Sequence, residues 1–190
     1  MISPVLSIKS DTVLKSYLFI MEKTAKAMVK NNTPFTGFLY GGLIQTSDGP
    51  KVIEFNARFG DPEAEVLNEL LTSDLLEIIV QLKENKIPKP LWSDEAICGV
   101  TLASSGYPLA YEKGVEIKGI DDSVYHMGTT LKDNKLVTNG GRVLFVIGKG
   151  SSPLEAIYNV YEKINNISFD NMVYRTDIGQ KSLRGDVWKK

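Results

Sequence analysis

Apolar positions along this chain change period several times, and each change marks an element. Leu14, Leu18, Met21, Ala25 and Met28 recur at spacings of three and four, which predicts an amphipathic helix over about 11–30. Asp11 suits its N-cap, and Asn31-Asn32-Thr33 followed by Pro34 ends it. Residues 35–44 are aromatic and aliphatic, residues 51–56 are strand-like again, and Asp48-Gly49 lies between them. That pattern predicts a β-hairpin. Asp61-Pro62-Glu63 reads as the N-cap, first residue and first-turn acid of a helix reaching about 71. Asp74 and Glu77 have capping-box spacing and predict a second helix, to about 84.

The pattern then shifts. Pro88-Lys89-Pro90 marks a linker, placed at 87–97, between a first part at 1–86 and a second at 98–190. Beyond it, residues 99–103, 114–117, 124–127 and 142–147 are short apolar runs separated by Gly, Asp and Asn, which predicts strands. Leu154, Ile157, Tyr158, Tyr161 and Ile164 form one stripe of a helix over 153–164. The fold class expected is α+β, with a mainly antiparallel sheet covered by a helix in the second part.

Composition narrows the function classes. The 190 residues are enough for a real core, and 22 Lys+Arg against 23 Asp+Glu leave a net charge of −1. A nucleic-acid partner is not expected, because its footprint is a basic surplus or stripe. No apolar run approaches the ~18–20 residues that cross a bilayer, and no basic-then-apolar leader opens the chain. Cys98 is the one cysteine, which excludes an intrachain disulfide and a thiolate zinc site. A reducing, cytoplasmic setting is expected. His126 is the one histidine, so histidine triads and two-histidine metal sites are excluded. It reads as a hydrogen-bonded structural residue, and Cys98 as buried and inert.

Candidate chemistry gathers at the end of the hairpin. Glu54 and Asn56 stand at i and i+2 of one strand, so their side chains emerge on the same face. A carboxylate and an amide carbonyl are hard oxygen donors, and Mg2+ takes one or two of these beside water and phosphate oxygens. Arg58 adds a planar fork for phosphate or carboxylate, and Gly60-Asp61-Pro62 leads into a helix whose first N–H groups favour an anion. The same alternation suits any half-exposed strand, and Asp-Pro-Glu is ordinary helix-start chemistry. A second candidate is Asn139-Gly140-Gly141-Arg142, where backbone N–H groups at a strand entrance approach an anion. A plain tight turn explains those residues equally well.

The residues from Val52 to Glu63, read as VIEFNARFGDPE, resemble the signature segment of the phosphoribosylamine–glycine ligase (glycinamide ribonucleotide synthetase) family, of the ATP-grasp superfamily. The resemblance continues through Ala103-Ser104-Ser105-Gly106-Tyr107-Pro108, Tyr125-His126-Met127-Gly128-Thr129, Val137-Thr138-Asn139-Gly140-Gly141-Arg142 and Tyr174-Arg175-Thr176-Asp177-Ile178-Gly179. It implies the C-terminal part of an ATP-grasp core followed by the family's C-terminal domain. It further implies an ATP-dependent ligase that converts glycine to glycyl phosphate and lets 5-phosphoribosylamine displace the phosphate, in purine biosynthesis. By the resemblance, Glu54 and Asn56 match ligands of Mg2+ (or Mn2+) that meet the ATP phosphates, and Arg58 matches an active-site arginine. Asp61 falls in the same segment as a substrate-binding candidate, and Asn139, Gly140, Gly141 and Arg142 are expected to hold the phosphoribosyl moiety.

Several family features have no match here. No glycine-rich phosphate loop or its lysine is present, and residues 37–43 carry no carboxylate to join Glu54. The resemblance therefore implies N-terminal domains outside these residues, or a companion chain that supplies them, and a piece inactive alone. Another ATP-grasp carboxylate–amine ligase, or a non-catalytic module derived from that fold, stays open as an alternative.

Overall fold

The computed structural model describes residues 1–4, 11–180 and 183. Its described residues divide into two compact units, one containing 11–93 and the other containing 1–4 with 94–180 and 183.

In the first unit, α1 spans Asp11–Lys30, and a hairpin follows from β2 (Tyr40–Thr46) and β3 (Gly49–Asn56). Thr46 closes the hairpin: its hydroxyl donates to the Gly49 carbonyl at 2.7 Å and accepts from the Asp48 amide at 3.2 Å. The strand expected from residue 35 begins only at Tyr40. Phe38, before the strand, meets Phe59 with tilted rings whose centroids are 4.3 Å apart. A register shift between Gly42 and Leu43 sets Tyr40 opposite Asn56 and Gly42 opposite Glu54.

Two helices complete this unit, α2 (Glu63–Leu70) and α3 (Leu75–Lys83). Asp61 is not the N-cap of α2: Pro62 occupies that position without a side-chain cap, and the first turn is closed by Ala64 donating to the Gly60 carbonyl at 2.9 Å. Asp74 does cap α3, accepting from the Leu76 and Glu77 amides at 2.7 and 3.1 Å. Residues 91–93 pair back on the α2–α3 connection, with Thr72 donating to the Leu91 carbonyl at 2.9 Å and Ser93 to that of Leu70 at 2.7 Å. Only Val66, Leu70 and Ile78 are buried apolar side chains among the described residues of this unit. Leu18 and Phe19 of α1 and Ile53 of β3 stay 59%, 63% and 67% exposed.

The second unit has the better core. Its sheet centres on β4 (Ala96–Ser104), antiparallel to β8 (Arg142–Gly150) along its length. On the far side of β8 lies β5 (Val124–His126), while β1 (Ile2–Ser3) and β9 (Met172–Val173) pair with opposite ends of β4. The helix α4 (Pro153–Ile164) packs on β4 and β8, burying Ala156, Ile157, Val160 and Ile164 against Val100, Leu102, Leu144 and Val146. Strands buried this fully read as continuous apolar runs, which is what residues 143–147 are. Ser152, which the sequence reading did not assign, caps α4 by accepting from the Glu155 amide.

Two differences from the sequence reading stand out. Residues 114–117 contribute an isolated bridge between Glu116 and Val137 and no strand. A hairpin of β6 (Thr129–Lys132) and β7 (Lys135–Thr138) was not anticipated. Asp133 and Asn134 turn it with φ of 50° and 59°, a left-handed pair that Asp and Asn tolerate because their short side chains bond locally. No helix among the described residues is long and apolar enough to cross a membrane.

Candidate functional site

The i, i+2 spacing on β3 sets Glu54 beside Asn56, and the Asn56 amide donates to Glu54 Oε1 at 2.9 Å. Glu54 is exposed and Asn56 half-buried. Across the ladder from Glu54 is Gly42, and a Cβ there would lie 3.1 Å from the Glu54 Cγ. The missing side chain gives Glu54 its room above β2. Among the described residues no group of three or more His, Cys, Asp or Glu could hold a metal ion. The hairpin therefore offers a cation one carboxylate and one amide oxygen. That donor set fits a Mg2+ that keeps water and phosphate oxygens for its other positions.

Tyr40 and Glu63 join this neighbourhood, and the sequence reading had assigned neither of them to it. Burial pushes the Tyr40 hydroxyl up from its ordinary pKa, and the nearby Glu63 carboxylate and, to a lesser degree, Glu54 act in the same direction. Glu63 folds back over Gly60, where its carboxylate occupies the space of a Cβ. The signal that would have found Tyr40 is its register opposite Asn56, which depends on the shift in the ladder.

Arg58 and Asp61 lie on the connection from β3 to α2, and both are exposed. Arg58 donates from Nη1 to the Phe59 carbonyl at 2.7 Å, a bond that holds the start of its fork.

The 139–142 loop belongs to the second unit and is built by three segments distant in sequence. Ser104, only 5% exposed, ties it from one side: its amide donates to the Gly141 carbonyl at 2.9 Å and its hydroxyl to the Gly140 carbonyl at 3.2 Å. From another side, the Asn139 amide donates to the Gly128 carbonyl at 2.7 Å. Gly128 and Gly140 touch back to back, since a Cβ on Gly128 would lie 2.8 Å from the Gly140 Cα. Both loop carbonyls are thus turned inward. Among the described residues, neither the Gly140 nor the Gly141 amide N–H is bonded within the protein. Backbone donors without protein partners suit an anion's oxygens. His126 ends β5, two residues before Gly128, and its Nδ1 pairs with the Thr129 hydroxyl at 2.9 Å.

Cys98 is fully buried in β4, and that burial pushes its thiol up to about 11. It has the character of a packing residue and not of a nucleophile.

Comparison with known proteins matches both halves of the chain to one enzyme. The model described as phosphoribosylglycinamide synthetase, ATP-grasp (A) domain, matches residues 1–64, and that of the C domain matches residues 97–181. A phosphoribosylamine–glycine ligase of Halalkalibacterium halodurans is 47% identical over 180 residues, covering 92% of this chain and 42% of the relative. The trifunctional purine biosynthetic protein adenosine-3 of Gallus gallus is 42% identical over 190 residues, covering 95% of this chain and 19% of that protein. The crystal structure of phosphoribosylamine–glycine ligase from Thermotoga maritima matches with a TM-score of 0.82 at 32% identity, covering 93% of this chain and 45% of that one. The chain thus spans less than half the length of these relatives. Sequence, family models and fold agree, and the chain belongs to the phosphoribosylglycinamide synthetase family, with sequence from both its ATP-grasp and C domains.

Proposed function

We propose that this chain is the C-terminal portion of a ligase that joins glycine to 5-phosphoribosylamine at the expense of ATP, giving glycinamide ribonucleotide, ADP and phosphate. The observation that carries the reading is the Glu54–Asn56 pair, set 2.9 Å apart in the segment matched by the ATP-grasp family model. Residues 1–86 then contribute to the nucleotide-handling part and residues 98–190 to the C-terminal domain. The reaction transfers the γ-phosphoryl group of ATP to a glycine carboxylate oxygen, releasing ADP. The amine of phosphoribosylamine next attacks the acyl carbon, phosphate leaves, and the attacking nitrogen gives up its proton.

Glu54 and Asn56 would hold Mg2+ or Mn2+, which supplies charge neutralisation for the transferring phosphoryl group. Arg58 would orient phosphate or the glycine carboxylate through the guanidinium donors not used on the Phe59 carbonyl. Asp61, exposed on the same connection, would bind substrate. In the other unit, the Gly140 and Gly141 amides with Asn139 and Arg142 take the phosphoribosyl phosphate. Catalysis of this kind is positioning and electrostatics, so no protein nucleophile is needed.

The remaining parts of the site come from outside these residues. Support for that is the exposure of Leu18, Phe19 and Ile53 on the first unit together with the 42% coverage of the bacterial relative. The test is ligase activity in a chimera in which this chain replaces the matching C-terminal share of the Halalkalibacterium ligase. Product formation that depends on glycine, ATP and a divalent cation supports the reading. A folded chimera without product, beside an active parent, contradicts it.

A further inference from the structure

The 139–142 loop is held from a side that its own sequence does not reveal. A Cβ on Gly141 would collide with Cδ2 of the Tyr107 ring and lie 2.8 Å from its Cε2, so the ring edge occupies the volume a side chain at 141 would need. Tyr107 is in turn fixed to the loop's own clamp, because its amide donates to the Ser104 carbonyl at 3.2 Å while Ser104 binds the Gly140 and Gly141 carbonyls. The ring meets Tyr111 edge-on with centroids 6.2 Å apart, and its remaining surface is open, Tyr107 being 45% exposed. A half-exposed tyrosine pressed on a glycine has little reason to be there for the core, to which Tyr107 does not belong.

From this we infer that Tyr107 is a positioning residue for a sugar-phosphate site: it holds the Gly140–Gly141 backbone so that both amides face one anion. The inference rests on the reading of the 139–142 loop as the phosphoribosyl site. Two glycines in sequence sample many backbone states, and a loop free to do so loses affinity through the ordering it pays on binding. Ser104 fixes the carbonyls, and Tyr107 blocks the loop from folding into the space above Gly141. The ring and not the hydroxyl does this, so phenylalanine should replace tyrosine without loss.

The experiment is a 1H–15N titration of the 190-residue chain with ribose 5-phosphate, in the wild type, Tyr107→Phe and Tyr107→Leu. In the wild type and Tyr107→Phe, the Gly141 Hα carries a ring-current shift and the Gly140 and Gly141 amides move on titration. In Tyr107→Leu the ring-current shift is lost and binding weakens about tenfold. Binding by Tyr107→Leu within about twofold of wild type overturns the positioning role and leaves the loop reading intact. Wild-type amides that do not respond overturn the loop reading, and the inference with it. Where Tyr107→Leu loses the dispersed β4 and β8 resonances, Gly141→Ala decides, since it displaces the ring from the opposite side. Lost binding in a folded Gly141→Ala supports the role, and retained binding overturns it.

Discussion

The amide of Asn56 donates to the Glu54 carboxylate across 2.9 Å on β3, and Gly42 across the ladder leaves the space beside Glu54 open. A cation that binds here should therefore be seen by this hairpin alone. Mn2+ added to the chain should broaden the amide resonances of residues 40–42 and 54–56 first. Glu54→Gln keeps the shape and removes the charge, and should weaken the effect by about tenfold or more. Broadening that centres elsewhere, or that ignores the substitution, would count against the pair.

Burial raises the Cys98 thiol from 9.0 to about 11, so the folded chain holds that proton more tightly than the unfolded chain. Its contribution to stability is complete below the unfolded value and is lost as pH rises through the folded one. Urea midpoints should fall between pH 9 and 11, with about 2–3 kcal/mol of the loss belonging to this group. Cys98→Ala is expected to be flatter over that window. An equal slope in both proteins would show that other groups govern the alkaline limb.

At the start of α4 the Ser152 hydroxyl accepts from the Glu155 amide at 3.3 Å, and Glu155 accepts from the Ser151 amide at 2.7 Å. Ser152→Ala should cost about 1 kcal/mol by thermal or urea unfolding. The Ser151 hydroxyl and amide also hold the Glu155 carboxyl below its ordinary pKa of 4.5. A depressed carboxyl contributes stability above its unfolded value and loses it as pH falls through the folded one. Glu155→Gln should accordingly give a shallower acid limb than the wild type, while leaving the midpoint's alkaline behaviour unchanged.

Leu18 and Phe19 are 59% and 63% exposed on one helix, and Ile53 is 67% exposed on β3. Apolar surface of this kind drives association in water. Sedimentation of the isolated chain should show mass rising with concentration, and Phe19→Glu should shift it towards monomer. A wild type that stays monomeric throughout would show that these side chains find cover within the chain.

How much of this was legible in the residues follows from the range over which each signal acts. The helix at Leu75–Lys83 was readable because Asp74 lies next to the amides it caps. The helix at Pro153–Ile164 was readable because its apolar residues form one strong stripe, whereas its Ser152 cap was not assigned from sequence. The N-cap assigned to Asp61 failed because Pro62 takes that place and Gly60 supplies the first carbonyl, a choice of one residue that composition does not encode. Glu54 and Asn56 were readable as a pair, since strand alternation alone puts them on one face. Tyr40 opposite Asn56 was not, because the register shift at Gly42 and Leu43 moves every partner beyond it by one. The same holds for Tyr107 and Gly141, whose contact spans segments joined only by the sheet.

Glu54 and Asn56 are proposed as metal ligands of a glycine-activating site. The most direct measurement is ADP release by the Halalkalibacterium chimera carrying this whole chain, with glycine, phosphoribosylamine and Mg2+, compared with the same chimera bearing Glu54→Gln. The account predicts glycine-dependent turnover that falls at least about a hundredfold in the variant. Equal turnover in the two chimeras would contradict it.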